Sequence, residues 1–448
     1  MYVAELDRPW LETPFLMQGF VIHTQMEISK LGQYCKFVYV EKQGRQWSNK
    51  QNPFQSSLSR TKRDSLGRHE SPLANNRSRP ARRALNYSIS DREPYSVSNQ
   101  AFEEHEQART VHKYAKQTIT SLMEQSRLGG AVDTESAKDV VNQCSASIMR
   151  NPHALMWMAK IKHADEYTLE HCLNVSILAI AFGRHLRMTS TDIEKLGLCG
   201  LLHDIGKMQI PDEVLNKPGK LTDEEKKIMN SHPVNGRNLL MKSGDTPAYA
   251  IDAAFNHHER MDGKGYPRGL TSNEISSFSR VVSIVDAFDA MTSDRCYDRS
   301  RSTLEALKEI YKERGKQFDE ELALEFIQLI GPYPPGTIVE LKNGMVGIAI
   351  SSEEKKRHLP AVRILLDEHK QNCEHYLVDL LDVEKGELEK TFLIAKVLKD
   401  GTYDIRLEDH TDESIRQAST RLAEESAEQA AQESDQAITS KDSIEKSD

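Results

Sequence analysis

Two adjacent histidines, His257 and His258, stand near the start of the polar, glycine-rich stretch NHHERMDGKGYP at 256–267. Neighbouring residues on a helix point about a quarter-turn or more apart, so the two imidazoles do not naturally aim at one point. They can serve two metal ions that lie close together, or belong to a helix end whose last turn is distorted. The question is whether the rest of the chain supplies further ligands.

Other histidines and aspartates of the same region are candidates for these ligands. Besides the histidine pair they are His171, His203, Asp204, His232, Asp286 and Asp289. Taken singly, each has an ordinary structural explanation. A histidine on an apolar helix face, such as His171 in register with Val175, is more often a hydrogen-bonded core residue than a ligand. Asp286 follows an apolar run at 281–285, where an unpaired carboxylate would be unfavourable to bury.

Taken together, five histidines and two aspartates, Asp204 and Asp286, in one helical region indicate metal chemistry. Imidazole and carboxylate groups are ligands that iron, manganese and zinc accept, and a carboxylate can bridge two ions. Two ions roughly 3.5–4 Å apart can generate a hydroxide nucleophile and hold both the attacking and the leaving oxygen of a phosphodiester. Such a pair of ions would explain the adjacent histidines.

Helical periodicity at 101–330 predicts the elements that carry these residues. Hydroxyl and carboxylate pairs of the capping-box form mark helix starts at Thr191 to Glu194, Thr222 to Glu225 and Ser302 to Glu305. His203 and Asp204 are predicted to end an apolar helix that a glycine breaks. His232 is predicted to close the helix that follows.

Strand-like patterns flank the helical region on both sides. Apolar runs lie at 20–22 and 37–40 within residues 1–42, and at 338–341, 345–350, 362–366 and 392–398 within residues 332–410. An Asn343-Gly344 pair gives a hairpin signal between two of these runs. The predicted fold class is therefore mainly α, with small β modules at the N-terminal and C-terminal sides.

Composition separates the segments expected to fold from those that are not. Hydrophobic residues make up only 38% of the 448 residues, which indicates sizeable unstructured segments. Residues 43–100 are polar and basic, and we expect a disordered linker that is either a solvated tether or a binder of an anionic partner. The acidic tail at 411–448 is either a solvated helix or disordered.

The class of protein is narrowed by what the composition lacks. A membrane helix needs about eighteen apolar residues, and no apolar run of this sequence approaches that length. The N-terminus does not have the form of a signal peptide. We therefore expect a cytoplasmic protein without a membrane span. The six cysteines are scattered without a Cys-x-x-Cys pair and are expected to be reduced. A net charge of −9 argues against a nucleic-acid-binding protein.

Several ordered segments of the helical region resemble one bacterial family. They are His203-Asp204-Ile205-Gly206-Lys207, His232, the stretch 257–267 and Asp286-Ala287-Phe288-Asp289-Ala290-Met291-Thr292. They are similar to the HD-GYP family, phosphodiesterases that hydrolyse cyclic di-GMP and form a branch of the HD superfamily. The resemblance implies an all-helical HD-type catalytic domain, which we place at 159–331 after a helical lead-in at 101–158. Residues 1–42 look like the N-terminal module that often precedes this domain.

The resemblance implies a role for each matched residue. The implied metal ligands are His171, His203, Asp204, His232, His257, His258 and Asp286, with Asp204 bridging. Lys207 would contact the scissile phosphate or support the leaving oxygen, and Asp289 would hold Lys207 by an ion pair. A fixed cation near the metals also offsets charge that develops in phosphoryl transfer. The alternative for Lys207 is a cation at a helix C-terminus, favoured by the helix dipole.

Substrate contacts are implied on either side of the ligands. Arg295 would hold a substrate phosphate, and Tyr266 would contact the substrate from the glycine-rich loop. Gly263 and Gly265 are expected to adopt backbone angles closed to other residues. The resemblance also implies that this loop docks diguanylate cyclase domains, with a plain tight turn as the alternative.

Several positions depart from the family pattern, among them Ser276 and Ser277, which replace a proline-containing segment before Arg280. Tyr167 stands where three-metal members carry a glutamate, which implies two divalent ions, with iron or manganese expected, and a reaction that stops at the linear dinucleotide. Cys296 and Asp298 replace a proline and a basic residue. These two replacements leave the affinity for substrate phosphate open.

The leading hypothesis is a two-metal phosphodiesterase that converts cyclic di-GMP to 5'-pGpG, with slow onward hydrolysis to GMP left open. A non-hydrolytic cyclic di-GMP receptor or docking scaffold is the alternative that Asp298 favours. A di-iron redox enzyme of the HD superfamily would use the same kinds of ligand, although the Gly-Tyr-Pro motif argues against this function. A homodimer is left open.

Overall fold

The computed structural model describes residues 2–6, 20–21, 31–32, 35–36, 38–41, 93–99, 101–161, 167–293, 301–353 and 356–410. The predicted linker, apart from 93–99, and the predicted acidic tail lie outside the described residues. So do Arg295, Cys296, Asp298 and the side chain of Tyr167. The division of the chain into domains made above stays a prediction.

The described N-terminal residues form a three-stranded antiparallel sheet of order β2-β1-β3. Its strands are β1 (Tyr2–Leu6), β2 (Phe20–Val21) and β3 (Val38–Glu41). In this register Tyr2 lies opposite Val21, and Val3 lies opposite Val40. The second and third strands fall in the predicted apolar runs. The first strand was not singled out in the sequence, although Glu5 is its only charged residue.

Helices form the centre of the remaining chain, as the predicted fold class requires. They are α1 (Ala101–Arg127), α2 (Thr134–Arg150), α3 (Pro152–Met158), α4 (Tyr167–His185), α5 (Ser190–Leu202), α6 (Asp212–Leu215), α7 (Asp223–Met229), α8 (His232–Ser243), α9 (Ala248–Asn256), α10 (Ser277–Thr292), α11 (Thr303–Glu313) and α12 (Glu320–Ile330). Short 3-10 helices lie at Ile205–Gln209 and Ser272–Glu274.

Helix α4 lies at the centre of the helical core. Every residue from Glu170 to Gly183 is buried, so the helix is covered on all sides. Helices α1, α2, α5 and α10 pack against it. An ion pair of 2.9 Å between Lys116 and Glu170 also joins α1 to the first turns of α4. A side chain at the start of α4 is therefore held by several helices at once.

The predicted helix starts are confirmed at two of three places. Reciprocal capping boxes are present at Thr222 with Glu225 and at Ser302 with Glu305. The third helix starts two residues earlier than predicted, because Thr189 is the residue that caps it. The Thr189 hydroxyl accepts a hydrogen bond of 3.1 Å from the backbone N–H of Asp192 and donates one of 2.9 Å to the Asp192 carboxylate.

A five-stranded antiparallel sheet of order β7-β6-β5-β4-β8 follows the helices. Its strands are β4 (Ile338–Leu341), β5 (Val346–Ser351), β6 (Ala361–Leu366), β7 (Asn372–Asp379) and β8 (Ile394–Val397), with helix α13 (Leu381–Lys385) between the last two. The predicted turn joins β4 to β5, with Gly344 at a φ of 91°. Strand β7 was not predicted, because it lies at the sheet edge and alternates polar exposed residues with half-buried ones.

The sheet is buried on both of its faces. Ile338 and Ile348 pack into the helical core, whereas their neighbours Val339 and Ala349 belong to a second core on the opposite face. A strand buried on both faces has a continuous apolar run instead of alternation. This burial explains the runs at 345–350 and 362–366.

No helix in the described parts of the chain combines the length and the apolar character needed to cross a bilayer.

A close backbone crossing sets the position of the 3-10 helix at Ile205–Gln209. The segment packs against α8, and a Cβ atom added to Gly206 would lie 2.0 Å from the carbonyl oxygen of His232 and 2.4 Å from the backbone nitrogen of Gly236. Only glycine permits this approach. The crossing places His232 beside the segment that follows Asp204.

We expect Gly206→Ala to destabilise the protein by about 3 kcal/mol, because backbone atoms on both sides must move apart. Gly129→Ala is the control, since no atom lies within 4 Å of its added Cβ and its positive φ of 78° makes it strained for alanine. That control should lose only about 1 kcal/mol. Urea unfolding followed by circular dichroism measures both, and equal losses would contradict the crossing.

Candidate metal centre

Five helices, and the residues that directly follow two of them, bring the candidate ligands together. His171 lies in α4, His203 caps the end of α5 and Asp204 follows it. His232 begins α8, His257 caps the end of α9 and His258 follows it, and Asp286 lies in α10. His171, His203, Asp204, His232 and His257 are buried, whereas His258 and Asp286 are half-buried. The structure thus gathers all seven implied ligands.

Asp204 lies between two groups of these side chains. Its Oδ1 atom is 3.2 Å from His232 Nε2 and 3.7 Å from His257 Nε2. Its Oδ2 atom is 3.2 Å from His203 Nε2 and 3.4 Å from His171 Nε2. Asp204, His232, His257 and His258 form one set with metal-ligand spacing, and His171, His203 and Asp286 form another. Each oxygen of one carboxylate therefore faces a different set of imidazoles.

Hydrogen bonds to the backbone determine which ring nitrogens of three histidines face inward. The Nδ1 atoms of His203, His232 and His257 lie 2.7, 2.8 and 3.1 Å from the carbonyl oxygens of Gly200, Met229 and Ala254. A carbonyl only accepts, so each Nδ1 carries the proton and donates. The Nε2 atoms that point toward Asp204 therefore present lone pairs.

This arrangement fits a divalent cation. The Nε2 atoms of His232 and His257 are 3.3 Å apart, and two lone pairs at that distance repel unless a cation lies between them. His203 Nε2 and Asp204 Oδ1 are buried, and neither finds a hydrogen-bond partner among the described residues. Buried polar atoms normally have partners. Imidazole nitrogens and carboxylate oxygens are suitable ligands for divalent transition metals.

The pKa values of three histidines and of Asp204 also favour binding of a divalent cation. Burial lowers the pKa of His232 to about 3 and that of His258 to about 4, and it holds the pKa of His257 well below its usual range. Burial alone would raise the pKa of Asp204, but the charge of the Lys207 ammonium opposes burial, and the pKa lies well below its usual range. Neutral imidazoles and an ionised carboxylate are the forms that bind a metal ion.

His171 is the exception among the histidines. Burial lowers its pKa, but hydrogen bonds to Asp204, Asp286 and Asp289 outweigh burial and raise the pKa to about 10. Its Nε2 atom is 3.1 Å from Asp286 Oδ1. Three carboxylates thus draw positive charge to this ring, and a metal ion bound there would displace a proton.

Asp289 has a different partner from the one predicted for it. Its Oδ2 atom accepts a hydrogen bond of 2.7 Å from His171 Nδ1 and lies 3.2 Å from the Ser293 hydroxyl. The ammonium group of Lys207 pairs with Asp204. The predicted ion pair between Asp289 and Lys207 is therefore replaced, because Asp289 lies one turn after Asp286 and faces α4. A carboxylate behind a ligand histidine fixes the ring orientation and increases its basicity.

The adjacent histidines occupy the end of a helix, which is the second of the two alternatives raised above. Helix α9 ends at Asn256, and both His257 and His258 belong to the group around Asp204 Oδ1. The ring of Tyr266 stacks on His258 with 4.7 Å between the centroids. The prediction that His232 closes a helix was wrong. It begins α8, because α7 already ends at Met229.

The glycine-rich loop after the histidines is held by a residue that sequence analysis did not single out. The buried Glu259 carboxylate accepts hydrogen bonds from the backbone N–H groups of Arg268 and Leu270, at 2.6 and 2.8 Å.

Gly263 in this loop has the expected positive φ of 74°. At Gly265 the reason for glycine is close packing, since an added Cβ would lie 2.4 Å from the backbone nitrogen of Arg260. The peptide bond between Tyr266 and Pro267 is cis.

Cys172 lies next to the site and was also missed. It forms a third set with metal-ligand spacing, together with His203 and Asp204. Burial holds the pKa of the Cys172 thiol well above its usual range. Cys172 is therefore a further buried donor beside the ligands, and a metal ion would have to displace its proton to bind it.

The ligands open onto a large cleft. Its volume is about 1160 Å³, which exceeds the about 300–1,000 Å³ typical of small-molecule sites. Lys207, His258, Tyr266 and Asp286 are among the residues that line it. The cleft is therefore large enough for a ligand of dinucleotide size.

Two sequence families match parts of the chain. A model described as an HD domain matches residues 147–322, and one described as a domain of unknown function (DUF3391) matches residues 1–137. Cyclic di-GMP phosphodiesterase PA4108 of Pseudomonas aeruginosa is 33% identical over 366 residues, which are 81% of this chain and 82% of that relative. The chain belongs to the HD-GYP family. The resemblance drawn from the sequence is thereby confirmed.

Other relatives match the HD-GYP chain over shorter ranges. A cyclic di-GMP phosphodiesterase of Thermotoga maritima is 38% identical over 170 residues, which are 38% of this chain and 46% of the relative. The 3'3'-cGAMP-specific phosphodiesterase 1 of Vibrio cholerae is 38% identical over 154 residues, which are 34% of this chain and 35% of the relative. The match covers less than half of each of these two relatives.

The position of Asp289 predicts a role in metal affinity. We expect Asp289→Asn to weaken divalent metal binding about 10- to 100-fold, because the variant loses the charge that orients and polarises His171. Asp223→Asn, at an exposed position in α7, is the matched control and should leave the affinity unchanged. Manganese titration against a fluorescent chelator measures both. Unchanged affinity in Asp289→Asn would contradict a role of Asp289 in metal binding and would favour the ion pair with Lys207 that was predicted from the sequence.

Proposed function

We propose that this HD-GYP protein is a metal-dependent phosphodiesterase that hydrolyses cyclic di-GMP to 5'-pGpG. The observation that carries the proposal is the position of Asp204, with one oxygen toward each of two imidazole groups, beside a cleft that His232, His258 and Asp286 line. Relatives named as cyclic di-GMP phosphodiesterases support the choice of substrate. A cleft of about 1160 Å³ supports its size.

Two ions, iron or manganese, are proposed for the two ligand groups. His171, His203 and Asp286 would hold one ion, and His232, His257 and His258 would hold the other, with Asp204 common to both. Bound there, such ions supply Lewis acidity toward the phosphodiester and lower the pKa of water. Nitrogen-rich ligand sets with carboxylates suit both metals, and availability in the cell decides between them.

Lys207 is proposed to stabilise charge on the reacting phosphate. Its ammonium group contacts Asp204 and lines the cleft, and its side chain is 16% exposed. A cation fixed in a largely water-excluded place offsets negative charge that develops on phosphoryl oxygens. Asp204 holds the Lys207 ammonium in position by an ion pair, whereas Asp289 orients His171 by accepting a hydrogen bond from its Nδ1 atom.

Tyr266 is proposed to bind the substrate from the loop side of the cleft. Its ring stacks on His258 and faces the cavity, so a guanine base or ribose that enters the cleft meets an aromatic surface next to the ligands. Arg295 is proposed to bind a substrate phosphate on the basis of the family resemblance. Docking of diguanylate cyclase domains on the loop, a homodimer and arrest of the reaction at pGpG also stay predictions.

The test is a time course of cyclic di-GMP with anaerobically purified protein supplied with iron(II) or manganese(II), followed by chromatography of the products. We expect pGpG to accumulate with the native protein. A His203→Ala, Asp204→Ala double variant should form no product above the metal-free background, because both ligand groups lose a member. A His369→Ala, Asp223→Ala double variant changes the same residue types at exposed positions and should retain full activity.

The same assay with 3'3'-cGAMP tests the choice of substrate, because one relative is specific for that dinucleotide. Faster hydrolysis of cyclic di-GMP than of 3'3'-cGAMP supports the proposal. The reverse order would assign the chain to the other substrate. No hydrolysis of either, with two metal equivalents bound, would overturn the proposed activity.

A further inference from the structure

We propose that Arg127, at the end of helix α1, binds the second phosphate of the cyclic dinucleotide, the one that is not cleaved. This inference rests on the proposed function, since it assumes a substrate with two phosphates. Arg127 precedes the segment 147–322 that matches the HD domain and lies within the segment 1–137 that matches the domain of unknown function. The substrate site would thus combine residues of both segments.

One face of α1 forms a wall of the cleft. Thr120, Met123, Glu124 and Arg127 all line the cavity that contains Lys207 and His258. Their spacing of three, four and seven residues puts them on one side of the helix, along roughly 10 Å of its axis. Helix α1 also packs against the 3-10 helix that carries Lys207. Arg127 therefore lies at one end of a continuous surface that borders the metal centre.

The charge of the substrate requires a cation away from the metal centre. A cyclic dinucleotide carries two phosphodiesters, and only one of them can lie at the ligand groups around Asp204. The other phosphate would remain at the wall of the cleft, where a nearby cation stabilises its negative charge. A guanidinium group matches a phosphate with two parallel hydrogen bonds.

Arg127 can exchange its present partner for a phosphate. Its guanidinium pairs with Asp212 of α6, and the two side chains are 51% and 52% exposed. Exposed ion pairs contribute little to stability, because water screens them. Asp212 does not line the cleft, whereas Arg127 does. A phosphate that enters the cleft can therefore replace the carboxylate.

The other cations that line the cleft differ from Arg127 in their surroundings. The Arg260 guanidinium is held by Asp262 and Gln317, with contacts of 2.7 to 3.0 Å. Lys207 pairs with Asp204 at the metal centre. Lys264 is exposed on the glycine-rich loop and also lines the cleft. Lys264 competes with Arg127 for the second phosphate, as does Arg295, which is proposed above to bind a substrate phosphate and lies outside the described residues. A comparison of Arg127 with Lys264 and with Arg295 therefore decides the assignment.

Steady-state kinetics of the metal-loaded full chain test the proposal. We expect Arg127→Ala to raise KM for cyclic di-GMP about fivefold with kcat nearly unchanged, since a partly exposed charge-assisted contact to a non-reacting group is lost. The KM of Arg127→Lys should lie between that of the native protein and that of Arg127→Ala. Bis(p-nitrophenyl) phosphate has a single phosphodiester, so its KM should be the same in all three proteins.

Asp212→Asn separates phosphate binding from a structural role of the ion pair. If Arg127 binds phosphate, removal of its carboxylate partner leaves KM for cyclic di-GMP unchanged or lower. If the pair only holds α1 in place, Asp212→Asn and Arg127→Ala will raise KM alike and for both substrates, and the proposal falls. A KM increase specific to cyclic di-GMP in Lys264→Ala or in Arg295→Ala, with none in Arg127→Ala, would also overturn it.

Binding measurements keep this inference distinct from the proposed activity. If the native protein hydrolyses bis(p-nitrophenyl) phosphate but not cyclic di-GMP, the proposed activity fails. Calorimetric titration with cyclic di-GMP then decides on Arg127. Weaker binding in Arg127→Ala than in Asp212→Asn supports its role, and equal binding in the two variants overturns it.

Discussion

A single buried carboxylate, that of Asp204, is the group on which the rest of the site depends. Its two oxygens face different imidazole groups, and Lys207 pairs with it from the cleft. A buried charge of this kind is tolerated only when opposite charge or a metal ion is close to it. The surrounding helices therefore have to deliver histidines to both sides of one aspartate.

The fold meets this requirement by fixing the orientation of four histidine rings through hydrogen bonds at Nδ1, the ring nitrogen that faces away from Asp204. Three imidazoles donate from Nδ1 to backbone carbonyls, and His171 donates to Asp289, so these rings turn Nε2 inward. The fully covered helix α4 holds His171, and the close crossing at Gly206 holds His232. Because these supports belong to packed helices, the ligand positions are set by the core, and the metal ions would bind to a largely preformed site.

Much of this could be predicted from the sequence, because the ligands lie in long, ordered motifs with recognisable helix ends. The membership of the family, the mainly helical fold and the flanking β modules followed from such patterns. The partner of Asp289 did not, since it depends on how α10 rotates against α4, and that rotation is set by packing between distant segments. For the same reason the sequence did not indicate that α1, some way before the first ligand, borders the cleft.

Anomalous X-ray diffraction from crystals of the manganese-loaded protein tests the central role of Asp204 most directly. The arrangement predicts two anomalous peaks, one beside Asp204 Oδ1 with His232 and the other beside Asp204 Oδ2 with His203. A single peak, or two peaks that do not both contact Asp204, would contradict the assignment of this carboxylate as the group shared by two ions.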